Sequence, residues 1–150
     1  MRNFDVEKHA GSAKRSVMIK ASVETVWKKL SKITKLGWLE EQKSTKFLSQ
    51  KKHGVGTIRL ISFEDGSNVE EHIVEWSPKK CFSYIAITGL PLLSYLATIS
   101  MKKAASGRVK VTWQSCFVSD KKKKEFLEFS KFLSQFYLKS LQNLKSDIER

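Results

Sequence analysis

The apolar residues of the chain change period twice. "KRSVMIKA" (14–21) alternates polar and apolar side chains and runs into Ser22, after which Val23, Val26, Trp27 and Leu30 recur at three- and four-residue spacing. Alternation sends successive side chains to opposite faces of a strand, whereas three-four spacing lines one face of a helix. The pattern therefore predicts a strand leading into a short helix with Ser22 as its N-cap. "ITKLGWLE" (33–40) reads as a second short helical piece interrupted by Gly37. From Lys43 onward the helical period is gone, and six strand-like runs follow: "STKFLSQ", "GVGTIRLISF", "NVEEHIVEW", "CFSYIAIT", "SYLATISMK" and "RVKVTWQSCFV". Turn signals separate them, among them Asp65-Gly66, Ser77-Pro78, Gly89-Leu90-Pro91 and Ser106-Gly107. Connections this short join antiparallel neighbours, because a parallel pair needs a crossover of a dozen or more residues.

The helical period returns after Ser119-Asp120, a candidate N-cap, and lasts to the end. Phe126, Phe129, Leu133, Phe136, Tyr137, Leu141, Leu144 and Ile148 form one stripe, widened by Leu127, Phe132 and Leu138. A stripe this long has to be buried on a broad apolar surface. The sheet supplies one, since Val109, Val111, Trp113, Ser115 and Phe117 share a face of their strand, and Tyr95, Ala97, Ile99 and Met101 share a face of theirs. The expected architecture is α+β: a curved antiparallel sheet of about seven strands wrapped around a long C-terminal helix, with two short helices after the first strand. Inward and outward faces are ambiguous for 55–63 and 81–88, where both parities carry apolar residues.

Length and charge narrow this picture. With 150 residues the chain is the size of one domain, expected over 13–150, behind a loose tail over 1–12. The formal charge of +13 raises the question of a polyanionic partner. Lysine supplies most of it; arginine, the residue suited to bidentate phosphate and guanine contacts, occurs only at 2, 15, 59, 108 and 150. The lysines are spread in pairs along the chain, as on a solvated surface, which argues against nucleic acid. Lys121–Lys124 keep open a salt-dependent contact with an anionic membrane or nucleic acid. Cys81 and Cys116 have no partner at metal-ligand spacing and read as small buried hydrophobes, so neither metal nor cofactor is expected. The most apolar run, "GLPLLSYLATISM", is shorter than the roughly 20 residues of a membrane span, and the expected compartment is the cytoplasm.

The order of elements, together with "IKASVETVWKKL", "GVGTIRLISFEDGSNVEEHIVEW", "FSYIAITGLPLLSYLATISM" and "VTWQSCF", resembles the START-like (SRPBCC) superfamily in its polyketide cyclase/dehydrase and lipid-transport branch. The resemblance spans about residues 14–148. It implies a helix-grip fold, with a cavity between sheet and last helix that accommodates apolar or amphipathic small molecules. It implies no single activity, because that fold serves carriers, receptors and enzymes.

Individual residues can be placed against that expectation. Arg59 interrupts an apolar run. Pointing inward it needs a partner, for which Glu71 is the nearest candidate; pointing outward the two form an exposed cross-strand pair worth under about 1 kcal/mol. The resemblance adds a "G-x-G-x-x-R … E" pattern, met by Gly54, Gly56, Arg59 and Glu71, and places Trp38 near the cavity mouth. Tyr84 and Tyr95 flank the Gly89-Leu90-Pro91 turn and serve either core packing or a ligand's polar atom. Ile99, Met101, Trp113 and Phe117 would supply the sheet wall, and Phe129, Leu133, Phe136 and Tyr137 the helix wall and lid. Trp27 is expected to pack the first helix on the sheet. The first functional expectation is binding or carriage of a hydrophobic small molecule of lipid, polyketide or aromatic type. A cofactor-free cyclase, dehydratase or isomerase is the alternative, with Glu71 as base and Tyr84 or Arg59 stabilising an enolate. His9, His53 and His72 lie in the tail, in a turn and on the face opposite Glu71, and none builds a catalytic set.

Overall fold

A computed structural model describes residues 7–150. Seven strands, β1 (His9–Ile19), β2 (Gln42–Phe47), β3 (Ile58–Phe63), β4 (Asn68–Ser77), β5 (Cys81–Thr88), β6 (Ser94–Ala104) and β7 (Arg108–Ser119), accompany α1 (Val23–Leu30) and α2 (Lys123–Glu149). The strands form one antiparallel sheet in the order β1-β7-β6-β5-β4-β3-β2. After β2 every strand pairs with its chain neighbour, as the short turns require, and β1 closes onto β7 through a long register from His9–Ser119 to Ile19–Val109. The expected α+β helix-grip arrangement is thus the one observed.

The 27 residues of α2 span roughly 40 Å at 1.5 Å per residue, enough to cross the whole concave face. Its buried positions are Leu133, Tyr137, Ser140, Leu141 and Leu144. Three ties hold it along β1: Arg15 Nε donates to Ser134 Oγ at 2.9 Å, Lys145 Nζ to the Met18 carbonyl at 2.7 Å, and the Lys20 amide to Glu149 at 2.9 Å. On its other flank Phe136 meets Phe63 of β3 edge-to-face at 6.0 Å. One helix therefore touches strands near both ends of the sheet, and the sheet is curled around it. Leu127 and Phe132 do not widen the stripe; they are 53% and 60% exposed.

Four further expectations are corrected. The strand β1 starts at His9, so residues 9–12 are not tail; residues 1–6 lie outside the described residues. Small residues hid this, and Gly11 shows why they are needed: a Cβ there would stand 2.8 Å from the rings of both Phe117 and Phe126. The second short helix is absent. Residues 33–40 are a series of turns whose carbonyls find side chains instead of a helical ladder, Ile33 O accepting from Arg59 Nη1 at 2.8 Å and Trp38 O from Asn143 Nδ2 at 3.2 Å. Helix α2 begins later than expected, with Lys122 at the N-cap, while Ser119 Oγ accepts from the Lys121 amide at 3.0 Å in the preceding turn. Cys116 is exposed and Cys81 half-buried, because they fall on the outward parity of β7 and at the first position of β5.

Other expectations hold. Ser22 caps α1 by accepting from the Thr25 amide at 3.1 Å, and Trp27 packs edge-on against Trp76 of β4 at 5.2 Å. No helix among the described residues is long and apolar enough to cross a membrane.

Candidate functional site

Where α2 stands off β3–β6, the concave face encloses a cavity of about 630 Å³. The alternation of β3 settles which side faces it. Arg59 and Ile61 point in, at 3% and 3% exposure, and the register places Glu71 of β4 directly opposite Arg59. In β5 the inward parity is Phe82 and Tyr84, and in β6 it is Tyr95 and Ile99. Trp113 of β7 completes the sheet wall, while Phe129, Leu133 and Phe136 of α2 form the opposite one. Trp38 enters from the α1–β2 connection, almost fully buried, with its ring edge-on to Trp113 at 6.1 Å.

Three of the residues expected at the site lie off the wall. Met101 is buried one inward position beyond Ile99, among the packed core residues. Phe117 lies towards the other end, where its ring meets Phe126 at 6.1 Å and Phe129 at 6.3 Å. Tyr137 fills the gap between helix and sheet, stacked on Trp113 at 4.0 Å, and so supports the wall from behind.

The charged pair is held inside. Arg59 Nε and Nη2 both point at Glu71 Oε1, at 3.0 and 2.8 Å, and Nη1 donates to the Ile33 carbonyl. The guanidinium also lies over the rings of Tyr84 and Phe82, at 5.0 and 5.9 Å. A buried ion pair is tolerated when both charges are matched and hydrogen-bonded. Here one carboxylate oxygen takes both contacts, and Glu71 Oε2 has no hydrogen-bond partner among the described residues. Burial raises the Glu71 carboxyl above its ordinary range, against the opposing pull of Arg59.

A chain of hydroxyls continues from there. Trp113 Nε1 donates to Tyr84 Oη at 3.1 Å, Tyr84 and Tyr95 hydroxyls lie 3.4 Å apart, and Tyr95 and Tyr137 hydroxyls are hydrogen-bonded. Burial pushes the pKa of all three phenols above the ordinary tyrosine value, so they stay protonated and polar without becoming charged. The Trp38 indole N–H, by contrast, has no acceptor among the described residues.

Sequence reasoning missed several contributors. Ile61 and Phe82 follow by parity once Arg59 and Tyr84 are placed, two residues away on the same faces. Ser140 and Asn143 had no signal of their own: they pin the α1–β2 connection, Ser140 Oγ accepting from the Glu40 amide at 3.0 Å and Asn143 Nδ2 reaching both Trp38 O and Glu40. Glu40, Glu41 and Asp65 come to the mouth only through folding of separate loops, together with Gly89–Pro91.

Three solved structures share the arrangement. XoxI of Bacillus cereus superposes with a TM-score of 0.80 at 22% identity, covering 92% of this chain and 95% of that one. A Bacillus thuringiensis protein gives 0.78 at 22%, covering 92% and 98%, and one from Nitrosospira multiformis gives 0.77 at 18%, covering 92% and 96%. At these identities the likeness is one of fold. No curated protein matches the sequence. The profile described as polyketide cyclase / dehydrase and lipid transport matches residues 10–149, nearly the whole chain, and the protein belongs to that family.

Proposed function

We propose that the protein binds and carries an apolar or amphipathic small molecule, of lipid, polyketide or aromatic type, in the cavity between sheet and α2. The observation that carries this reading is the cavity itself. Protein interiors are packed with few voids larger than a water molecule, whereas here about 630 Å³ is left open beside aromatic rings. That volume lies within the range of about 300–1,000 Å³ usual for small-molecule sites, which are apolar with a few placed polar groups. Arg59, Glu71 and the tyrosines are such groups.

Native mass spectrometry of protein purified without denaturant, and uptake of the solvatochromic dye Nile red, test the proposal. An added mass or a blue-shifted, saturable fluorescence is expected. Protein that carries no adduct and takes up no dye would overturn it.

The enzymatic alternative draws on one observation, the unpartnered Oε2 of Glu71, a candidate base beside the Arg59 guanidinium and within the same wall as Tyr84. Cyclisation or dehydration of a short poly-β-ketone would then require Glu71, and Glu71→Gln would abolish turnover while the protein still took up Nile red. Equal turnover by the variant excludes that role.

A further inference from the structure

Resting on the reading of the cavity as a binding site, the geometry points to the class of ligand head group: we infer that the occupant carries an uncharged hydroxyl that donates to Glu71 Oε2, and that lipids ending in a carboxylate are rejected.

The inner end of the cavity offers little unused hydrogen-bonding capacity. Tyr84 Oη already accepts from Trp113, and the Tyr95 hydroxyl is engaged with Tyr137. Glu71 is 6% exposed, lines the cavity, and uses only Oε1 on Arg59. Its Oε2 is open to the cavity and takes no donor from the described residues, so a ligand donor placed there gains a charge-assisted hydrogen bond. Of the five N–H groups of Arg59, three are spent on Glu71 and Ile33, and the two left can donate to a ligand oxygen. A hydroxyl both donates and accepts, and matches this combination. An ether oxygen accepts only, and a carboxylate brings no donor.

Charge argues the same way. The Arg59 cation is already neutralised by Glu71, so a ligand carboxylate at that depth would be a second buried anion with no cation of its own. The mouth reinforces this. Although the chain carries +13 overall, among the described lining residues of the mouth Glu40, Glu41 and Asp65 stand against one cation, Lys139. Among the described residues none of these three carboxylates is in a salt bridge: Glu40 accepts from Asn143, and Asp65 from the Ser67 amide and hydroxyl. An anion entering a positively charged protein would thus meet a local negative field at the entrance.

Displacement of Nile red by three probes of equal chain length, 1-dodecanol, dodecyl methyl ether and dodecanoate, tests the inference at neutral pH below their solubility limits. Dodecanol is expected to displace the dye at about tenfold lower concentration than the ether, the worth of one hydrogen bond to a charged acceptor, with dodecanoate weaker still. The double variant Arg59→Met/Glu71→Leu, which removes both charges together, should erase the alcohol-over-ether preference. The mouth variant Glu40→Gln/Glu41→Gln/Asp65→Asn should strengthen dodecanoate severalfold relative to dodecanol. Dodecanoate or the ether matching dodecanol in the unmodified protein overturns the head-group inference while leaving the binding cavity in place. Failure of all three to displace the dye, or no dye uptake, overturns the binding reading itself.

Discussion

Arg59 and Glu71 face each other across β3 and β4 at one register position, both almost fully buried, and join through a fork of Nε and Nη2 onto a single oxygen. Their position has a cost that a neutral pair would not have. Removing either partner leaves the other charge buried without its counter-ion, which typically destabilises by about 3–5 kcal/mol, whereas replacing both by apolar residues of similar volume is often neutral or stabilising. Arg59→Met and Glu71→Leu are therefore each expected to lower unfolding free energy by about that amount, and the double variant to recover most of it. Urea denaturation of the four proteins gives the coupling; additive losses in the double variant would show that the two side chains do not act as a pair.

The acid range separates this pair from the surface ties of α2. Glu71 is raised, so the folded state holds its proton more tightly than the unfolded chain. Its contribution to stability is present below the ordinary carboxylate range and is lost as pH rises through the folded value. Glu149 is lowered by the Lys145 ammonium and the Lys20 amide, and contributes above the ordinary range, a contribution lost as pH falls through its folded value. Relative to Glu71→Gln, the parent should lose stability as pH rises above the ordinary glutamate value of about 4.3; relative to Glu149→Gln, it should gain stability as pH rises towards that value from below. Unfolding curves at several pH values read both slopes, and slopes of the same sign would contradict the assignment.

The sheet was legible because parity on β6 and β7 is unambiguous: Tyr95, Ala97, Ile99, Val111 and Trp113 are all buried as their alternation requires. The pairing of Arg59 with Glu71 was legible too, because a charge in an apolar run demands an opposite one nearby. What sequence could not carry is set by contacts between distant segments. The turns at 33–40 take their shape from Arg59 and Asn143, and the start of β1 from rings that need Gly11 to be bare. The helix stripe was overcounted because period alone cannot tell the edge of a buried face from solvent, and Phe132 falls just past that edge at the cavity mouth.

Gly89 fixes the loop over that mouth. Its φ is +101°, and a Cβ would fall 2.0 Å from the Asn68 carbonyl oxygen and 2.9 Å from the Val69 Cα, so neither backbone conformation nor space admits a side chain. Gly107, with φ +69° and nothing within 4 Å, meets only the conformational penalty. Gly107→Ala should cost about 1 kcal/mol, and Gly89→Ala clearly more, with hydrogen exchange speeding up in 87–93 and in the facing end of β4. Equal costs at the two glycines would mean that the loop yields without strain.

Leu133 and Phe132 are adjacent on α2 and line the same cavity, yet they belong to different parts of the energy balance. Leu133 is 4% exposed within the core, and its truncation to Ala removes packing that surrounding residues recover only in part, a loss of about 2–5 kcal/mol. Phe132 is 60% exposed at the rim, stacked on Phe136 at 6.0 Å and tilted against Phe129 at 6.1 Å, so its truncation should change stability by no more than about 1 kcal/mol. Under the proposed carrier function, its apolar ring at the entrance would meet a ligand passing from water into the cavity. Phe132→Ala is accordingly expected to slow Nile red uptake in stopped-flow fluorescence while leaving the urea midpoint nearly unchanged, and Leu133→Ala to lower the midpoint. A Phe132→Ala protein with normal uptake kinetics would place the entry path elsewhere on the rim, between the Gly89–Pro91 loop and the carboxylates of Glu41 and Asp65.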